Sequence, residues 1–507
     1  MYIKNNTEIP IHQNTSVFRA REEDTSRVYH IEEHSLRTKF QRDRDRILYS
    51  KEFRRLSGKT QVFVAGFDDH MRTRLTHTLE VAQIADTIAR ALGLNEVLTE
   101  AIAYGHDVGH TPFGHVGERT LNAIMNGCRD IYGYNKNLVE EQKGFKHNWQ
   151  GLRVVTELEQ IDEKNKGLNL TKYTLWGILN HSSLNAKDCK DYRLFEKNDK
   201  CKMTNRDKPC HISGKLSFGF YQNEKIKLHD VEDWTFEAGI VAAADEIAQR
   251  HHDIEDALHA GIIKIDEICD EFKSAFNFFV DEHTKHELEN IIENKESKFK
   301  IPMLSKFIVN FYTTNYIEQL KTKMETIAEK FGLATDKEFK SLKDETHDFL
   351  LKKYKEKSII KVLQFDNHVE NENENFSKCD KKFQEYLTGI ILKSELAQSM
   401  DGKSDFIIRQ LFKAYLSNPQ QLPDNTIVKA YERIWESKEV DTNNLISPKE
   451  VKPYMARGYI EDILKNENNF VNTIVLRTVC DFIAGMTDQY AMDQFDRLYG
   501  TQKFKNY

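Results

Sequence analysis

Helix breakers and cross-linkers are scarce in this chain: seven cysteines, eight prolines and 23 glycines are spread over 507 residues. So sparse and odd a set of cysteines excludes a disulfide framework and predicts mostly free thiols in a reducing compartment. No stretch approaches the roughly 20 consecutive apolar residues that a membrane-spanning helix needs. The opening Met1-Tyr2-Ile3-Lys4-Asn5-Asn6 shows no charged-then-apolar secretory pattern. A cytoplasmic protein without membrane contact is expected. Charge of one sign is also lacking, since 80 acidic residues face 73 basic ones for a net charge of −7. An anionic substrate must therefore rely on locally clustered Lys and Arg, and composition gives no support to a nucleic-acid partner. With 39% hydrophobic and 30% charged residues the chain is globular in composition, which excludes disorder as the default.

What fills the long segments is Glu, Lys, Leu, Ala and Ile, a mixture that favours helix. From Arg72 to Leu92 the apolar residues Leu75, Leu79, Ala82, Ala85, Ile88, Ala89 and Leu92 recur at spacings of three and four, a stripe closed by Gly93. A second helix is predicted from Asn95 or Thr99 until Gly105, where glycines and Pro112 break the pattern. Further helices are predicted over 115–126, over 147–161 and from Trp234 to about Ala260, whose Ala-rich middle can pack closely against neighbours. Strand signals are weak and no internal repeat is found, so the expected fold is all-α. The organisation read from these patterns is a tail over 1–28, a core over 29–262 with a polar insertion at about 187–214, and a helical C-terminal region over 263–507.

The residues that stand out chemically are His77, the adjacent pair His106-Asp107, and Asp245, each on a separate predicted helix. Two neutral imidazoles and two carboxylates make a mixed nitrogen and oxygen site suited to Mn, Fe, Co, Ni or Zn, and usable by Mg when phosphate and water complete the shell. Adjacent helical residues point about 100° apart, so His106 and Asp107 can share an ion only where the backbone leaves the helix. Gly109 and Pro112 supply that departure. A lone His beside Asp is commonly a surface or capping pair. Here, however, three histidines and two acids fall within His106 to Glu118, inside a Gly/Pro-shaped turn that is a poor way to build a core. A second group, Cys189, Cys201, Cys210 and His211, lacks the short Cys-x-x-Cys step usual for zinc and reads either as a zinc clip or as free surface thiols.

The segments Gln41 to Leu48, Phe53 to Phe63, Arg72 to Thr78, His106 to Glu118 and Phe145 to Gln150, taken in order, resemble the motif series of the dGTPase branch of the HD hydrolases. They are also similar to the animal dNTPase that joins a sterile-alpha-motif domain to an HD domain. The resemblance covers roughly residues 30–260. It implies an HD-domain helical core in which His77, His106, Asp107 and Asp245 hold a divalent metal. It implies His115 and Glu118 as an acid/base pair, and their spacing of three puts them on one helix face, so that Glu118 can orient and charge His115. Arg74, His110 and His147 match positions that meet phosphate or handle protons, while Lys59 and Gln61 match the motif lining the sugar and base end. Asp245, Gln249 and Asp253 lie four apart on one stripe, which makes Asp253 the candidate for the 3′-hydroxyl. Many relatives carry Tyr where this chain has Gln249, so the aromatic neighbour of the sugar is missing.

The implied reaction is metal-assisted attack on the α-phosphorus of a deoxynucleoside triphosphate, giving deoxynucleoside and tripolyphosphate. Related enzymes are commonly homo-oligomers, some with nucleotide effectors between subunits, and both are carried as expectations. Other HD hydrolases act on nucleoside monophosphates, cyclic nucleotides or guanosine alarmones, and a non-catalytic nucleotide- or nucleic-acid-binding scaffold is a further alternative.

Overall fold

Residues 16–61, 72–129, 131, 143–161, 165–184, 226–365, 375–437, 446–465 and 469–500 are described by the computed structural model. The Cys189, Cys201, Cys210 and His211 group lies outside them. The N-terminal half supplies α1 (Lys39–Leu48), α2 (Lys51–Arg55), α3 (Arg74–Ala91), α4 (Glu96–Gly105), α5 (Gly114–Met125), α6 (His147–Arg153), α7 (Lys172–Asn180) and α8 (Phe236–His259). Next come α9 (Ile265–Ala275), α10 (Glu282–Glu293), α11 (Ser297–Phe331), α12 (Asp336–Ser341), α13 (Lys343–Lys353), α14 (Ile359–Leu363) and α15 (Phe376–Ile391). The last group is α16 (Glu395–Ser417), α17 (Asp424–Glu436), α18 (Pro453–Lys465), α19 (Asn469–Ala484) and α20 (Asp488–Tyr499). Extended pairing among the described residues is limited to three isolated bridges, Arg27 with Thr171, Thr60 with Thr73, and Gln160 with Gly167. The fold is all-α, as the composition predicts.

Local chemistry sets the helix ends. Thr38 caps α1 through a box closed by Gln41, Thr73 caps α3, Asn95 caps α4, and Thr235 caps α8, each side-chain oxygen accepting an otherwise orphaned N–H of the first turn. At the other end of α3, Gly93 takes a positive φ of 68° that lets the chain turn back, so that Leu94 N–H reaches Ala89 O at 2.9 Å. The helix predicted over 147–161 departs from expectation after Arg153. The carbonyl of Val155 accepts from Leu168 N–H at 2.6 Å, and Val154–Leu158 widen into a π turn.

Helix α8 is the axis of the molecule, packed on by α3, α4, α7, α11, α14 and α15. Val241, Ala242, Ala243 and Ala244 have no exposed surface, so this stretch is apolar on every side and its small side chains admit close neighbours. Against it α3 sets Val81, Ala85, Ile88 and Ala89, all fully buried. Each buried Val or Ile contributes about 1.5–3 kcal/mol relative to exposure. Farther along, Arg250 pairs with Asp380 through two contacts, 2.8 and 2.9 Å, while Tyr312 donates to the same carboxylate at 2.8 Å. This buried knot ties α8 to α11 and α15. The apolar cluster around α8 takes in residues on both sides of position 262, from Phe18 to Ala397. A second cluster joins α5 and Phe145 to α16, α17, α19 and α20.

Candidate active site

Four residues meet where α3, the turn that ends α4 and the middle of α8 converge. The first turn of α3 carries Arg74 and His77, three apart and thus on one face, and both are almost fully buried. Helix α4 stops at Gly105, leaving His106 as its cap and Asp107 in the turn beyond, so the adjacent pair escapes the divergence it would have within a helix. That turn lies directly on α6. A Cβ added at Gly109 would stand 2.1 Å from both Gly151 N and His147 O, so only glycine fits there.

His77 Nε2 lies 3.0 Å from Asp245 Oδ1 and 3.9 Å from Asp107 Oδ2. His106 Nε2 lies 3.5 Å from Asp107 Oδ1 and 3.8 Å from Asp245 Oδ1. Because His106 Nδ1 donates to the carbonyl of Ala103 at 2.6 Å, its Nε2 bears the lone pair, and that atom is buried without a hydrogen-bond partner. An orphaned imidazole lone pair facing two carboxylates suits a divalent cation: the ligand atoms of His77, His106 and Asp107 are grouped closely enough to hold one, and Asp245 stands beside them, 3.0 Å from His77 Nε2 and 3.8 Å from His106 Nε2. Burial alone raises the Asp107 carboxyl, but Arg74 at 2.8 Å, His110 and His106 outweigh it and hold the group well below the usual carboxylate range. Asp245 is likewise raised by burial and lowered, on balance, by its hydrogen bond to His77 and by the nearby His106. Both carboxylates are ionised.

Beside this cluster stand more imidazoles. His110 Nε2 contacts Asp107 Oδ1 at 3.1 Å, and its ring stacks on His147 with centroids 3.9 Å apart and an 18° tilt. His147 Nε2 in turn approaches His181 Nε2 at 3.3 Å. Burial lowers all three rings, His181 to about 3, and keeps them neutral. His115 is exposed at the rim, its ring centroid 5.7 Å from that of His110.

The spacing predicts Glu118 beneath His115, and the Glu118 carboxylate also accepts from His147 N–H at 3.1 Å, from His147 Nδ1, and from Lys146 Nζ at 3.3 Å. Burial raises Glu118, and His147, Lys146 and, to a smaller degree, His115 together pull it well below its ordinary value. Lys59, expected at the sugar and base end, is fully buried and donates to the carbonyls of His110 at 2.5 Å and Ala484 at 3.1 Å. Its work is to clamp backbone, and burial lowers the ammonium to about 8. Gln61 comes close to the site, its carbonyl 3.4 Å from the Cβ position at Gly114, with an amide oxygen that is buried and unpartnered. Gln249 and Asp253 follow Asp245 at four-residue steps along α8, both half-buried, and desolvation pushes the Asp253 carboxyl up to about 7.

Sequence reasoning missed His181, which only the packing of α7 on α6 brings to His147. It also passed over Glu80 and His252 behind His77, and Asp488 of α20, whose carboxylate accepts from Phe113 N–H at 2.8 Å and Thr60 N–H at 3.0 Å. Asp488 thereby fixes the loop in which Phe113, at φ 59°, adopts the left-handed conformation that is costly for a bulky side chain. No local signal marks these residues, since each partner is distant in sequence. Among the described residues no helix is long and apolar enough to cross a membrane.

The chain is similar to known proteins in sequence. The HD domain model matches residues 74–265, which contain all four candidate cation ligands, and the phosphohydrolase-associated domain model matches residues 449–497. The chain is similar to a deoxyguanosinetriphosphate triphosphohydrolase-like protein of Bartonella tribocorum, 31% identical over 489 residues that cover 96% of each chain. It is 32% identical over 465 residues to the protein of the same description from Geobacter metallireducens, covering 91% of this chain and 89% of that one. With the Nitrobacter hamburgensis counterpart identity rises to 44% over 243 residues, 46% of this chain and 50% of that one. Nearly full-length similarity, added to an HD match over the helices that carry the site, means that the chain belongs to the HD-domain family of deoxyguanosinetriphosphate triphosphohydrolase-like proteins.

Proposed function

We propose that this protein hydrolyses deoxynucleoside triphosphates, dGTP among them, to deoxynucleoside and tripolyphosphate. The observation that carries the reading is the buried, unpartnered Nε2 of His106 facing two ionised carboxylates, with the Arg74 guanidinium 2.8 Å from one of them. A bound divalent cation would supply charge to a phosphoryl oxygen and a position for attacking water. Arg74 Nε is itself buried without a partner, so the guanidinium keeps a donor for a phosphate oxygen beside the cation ligands. His110 Nδ1 is also buried without a partner, and because Nε2 donates to Asp107 the neutral ring presents a lone pair there, an acceptor suited to taking up a proton rather than to holding a phosphate oxygen. His115, on the exposed rim, is the group placed to protonate the departing 5′-oxygen as the nucleoside leaves. Glu118 holds His147, and the His147 ring backs His110 from behind. Asp253, pushed up to about 7, can donate to or accept from the 3′-hydroxyl, and Gln249 offers an amide in place of an aromatic neighbour for the sugar.

The reading extends to a cytoplasmic homo-oligomer with nucleotide effector sites between subunits. The decisive assay offers the four dNTPs, singly and mixed, with Mn, Mg or Co. Tripolyphosphate is the expected product; orthophosphate or pyrophosphate would reject the assigned reaction. A rate in the mixture above the sum of the single rates is expected from an effector.

A further inference from the structure

Behind the cation cluster lies a second line of polar side chains that the proposed chemistry does not use. Glu80 follows His77 by three residues on α3, and His252 follows Asp245 by seven on α8, so both lie on the faces that carry the ligands, one and two turns farther along. His252 is fully buried, and its Nδ1 lies 3.2 Å from His77 Nδ1. Its Nε2 is hydrogen-bonded to Glu80 Oε2, the oxygen that His251 Nε2 also reaches at 3.0 Å. On the other side of the carboxylate Arg72 Nε contacts Oε1 at 3.4 Å, and Arg72 is anchored in turn by Glu255 Oε2 at 2.6 Å.

We infer that His252 and Glu80 are positioning residues that lock His77 in the one tautomer able to bind a divalent cation. The inference rests on the reading of His77 as a cation ligand. A carboxylate only accepts, so the contact with Glu80 places a proton on His252 Nε2. A neutral His252 then offers Nδ1 as an acceptor. The 3.2 Å approach of the two Nδ1 atoms is a hydrogen bond only if His77 carries its proton there, which leaves His77 Nε2 bare beside Asp245. The opposite tautomer sets two lone pairs against each other in a buried space and points an N–H at the cation position. Direct carboxylate-to-ligand pairs do this in many metal sites; here a second imidazole is interposed, and the carboxylate end is held by Arg72 and His251.

The test uses the full chain, titrated with Mn²⁺ for affinity, with elemental analysis for stoichiometry and the unfolding midpoint of the metal-free protein as the structural control. One ion per wild-type chain is expected. His252→Leu, which accepts nothing, should weaken Mn²⁺ binding about 10–100-fold, the usual effect of losing an outer-shell partner. His252→Asn places an amide oxygen near the lost Nδ1 and should bind close to wild type, while both variants melt alike without metal. Leu-variant affinity equal to wild type overturns the relay, as does an Asn variant as weak as the Leu variant. Glu80, His251 and His252 also have ligand atoms within 4.8 Å of one another. Two ions in the wild type with one lost in His252→Leu would therefore replace the relay with a second metal site. A wild type that takes up no ion overturns the cation-ligand reading itself, and the relay with it.

Discussion

His115 and Glu118 illustrate how two residues on one helix face divide between tasks. His115 is exposed, whereas the Glu118 carboxylate is turned into the protein and spent on His147 and Lys146. On the proposed reaction, removing the His115 imidazole takes away the proton donor at the rim while the buried candidate ligands on other helices stay in place. His115→Ala should lower kcat by about 10²–10⁴-fold with metal content unchanged. A steady-state assay paired with metal analysis checks this, and unaltered turnover would remove His115 from the mechanism. Glu118→Gln keeps an oxygen that can accept from His147 N–H and Nδ1, so its loss in kcat should be smaller than that of His115→Ala. A larger loss would mean that the carboxylate charge itself takes part.

At the scale of elements, the site depends on how closely the turn after α4 lies on α6. The 2.1 Å separation between a Cβ at Gly109 and the backbone atoms of His147 and Gly151 leaves no flexible side chain to give way. Gly109→Ala must push the turn off α6, carrying Asp107 from Arg74 and His110 from His147. It should cost about 3 kcal/mol, at the upper end for an overpacked core, and weaken cation binding as well. Gly402 provides the control, because it lies within α16 and a Cβ there meets nothing within 4 Å. Gly402→Ala should raise stability by about 0.5–1 kcal/mol, and thermal unfolding of the two variants would show shifts of opposite sign. The same packing explains what was legible in the sequence. The stripe closed by Gly93, the Asn95 cap and the Ala-rich middle of α8 are local signals, and the structure follows them. His77, His106, Asp107 and Asp245 were readable because a Gly/Pro-shaped turn and several ordered motifs surround them. The contacts of Glu118 with His147 were not, since the fold brings up His147 from 29 residues away. The acceptors of Lys59 were hidden for the same reason, Ala484 being 425 residues distant.

Over the whole molecule, the C-terminal helices brace the half that carries the cation ligands. Asp488 of α20 holds the Thr60 and Phe113 loops, and Ala484 of α19 accepts from Lys59. The most concentrated tie is Asp481 of α19. Arg153, at the end of the helix that begins with His147, contacts its carboxylate through Nε at 3.1 Å and Nη2 at 2.9 Å, Gln150 adds a hydrogen bond at 3.2 Å, and Arg433 of α17 completes it at 3.0 Å. Burial raises this carboxyl, but Arg153 and Arg433 prevail and lower it to about 2. A group depressed in the folded state contributes stability that is fully present above its unfolded pKa, near 4, and is lost as pH falls through the folded value. The shift corresponds to about 2 kcal/mol. Asp481→Asn should cost about 3 kcal/mol at neutral pH, because it strands two guanidinium groups in the interior. As pH drops from about 4 towards 2 the wild-type carboxyl takes up its proton and comes to resemble the amide, so the difference in unfolding midpoint between the two proteins should shrink. A gap that stays constant from pH 6 to pH 3 would show that the charge on Asp481 is not what binds the C-terminal helices to α6.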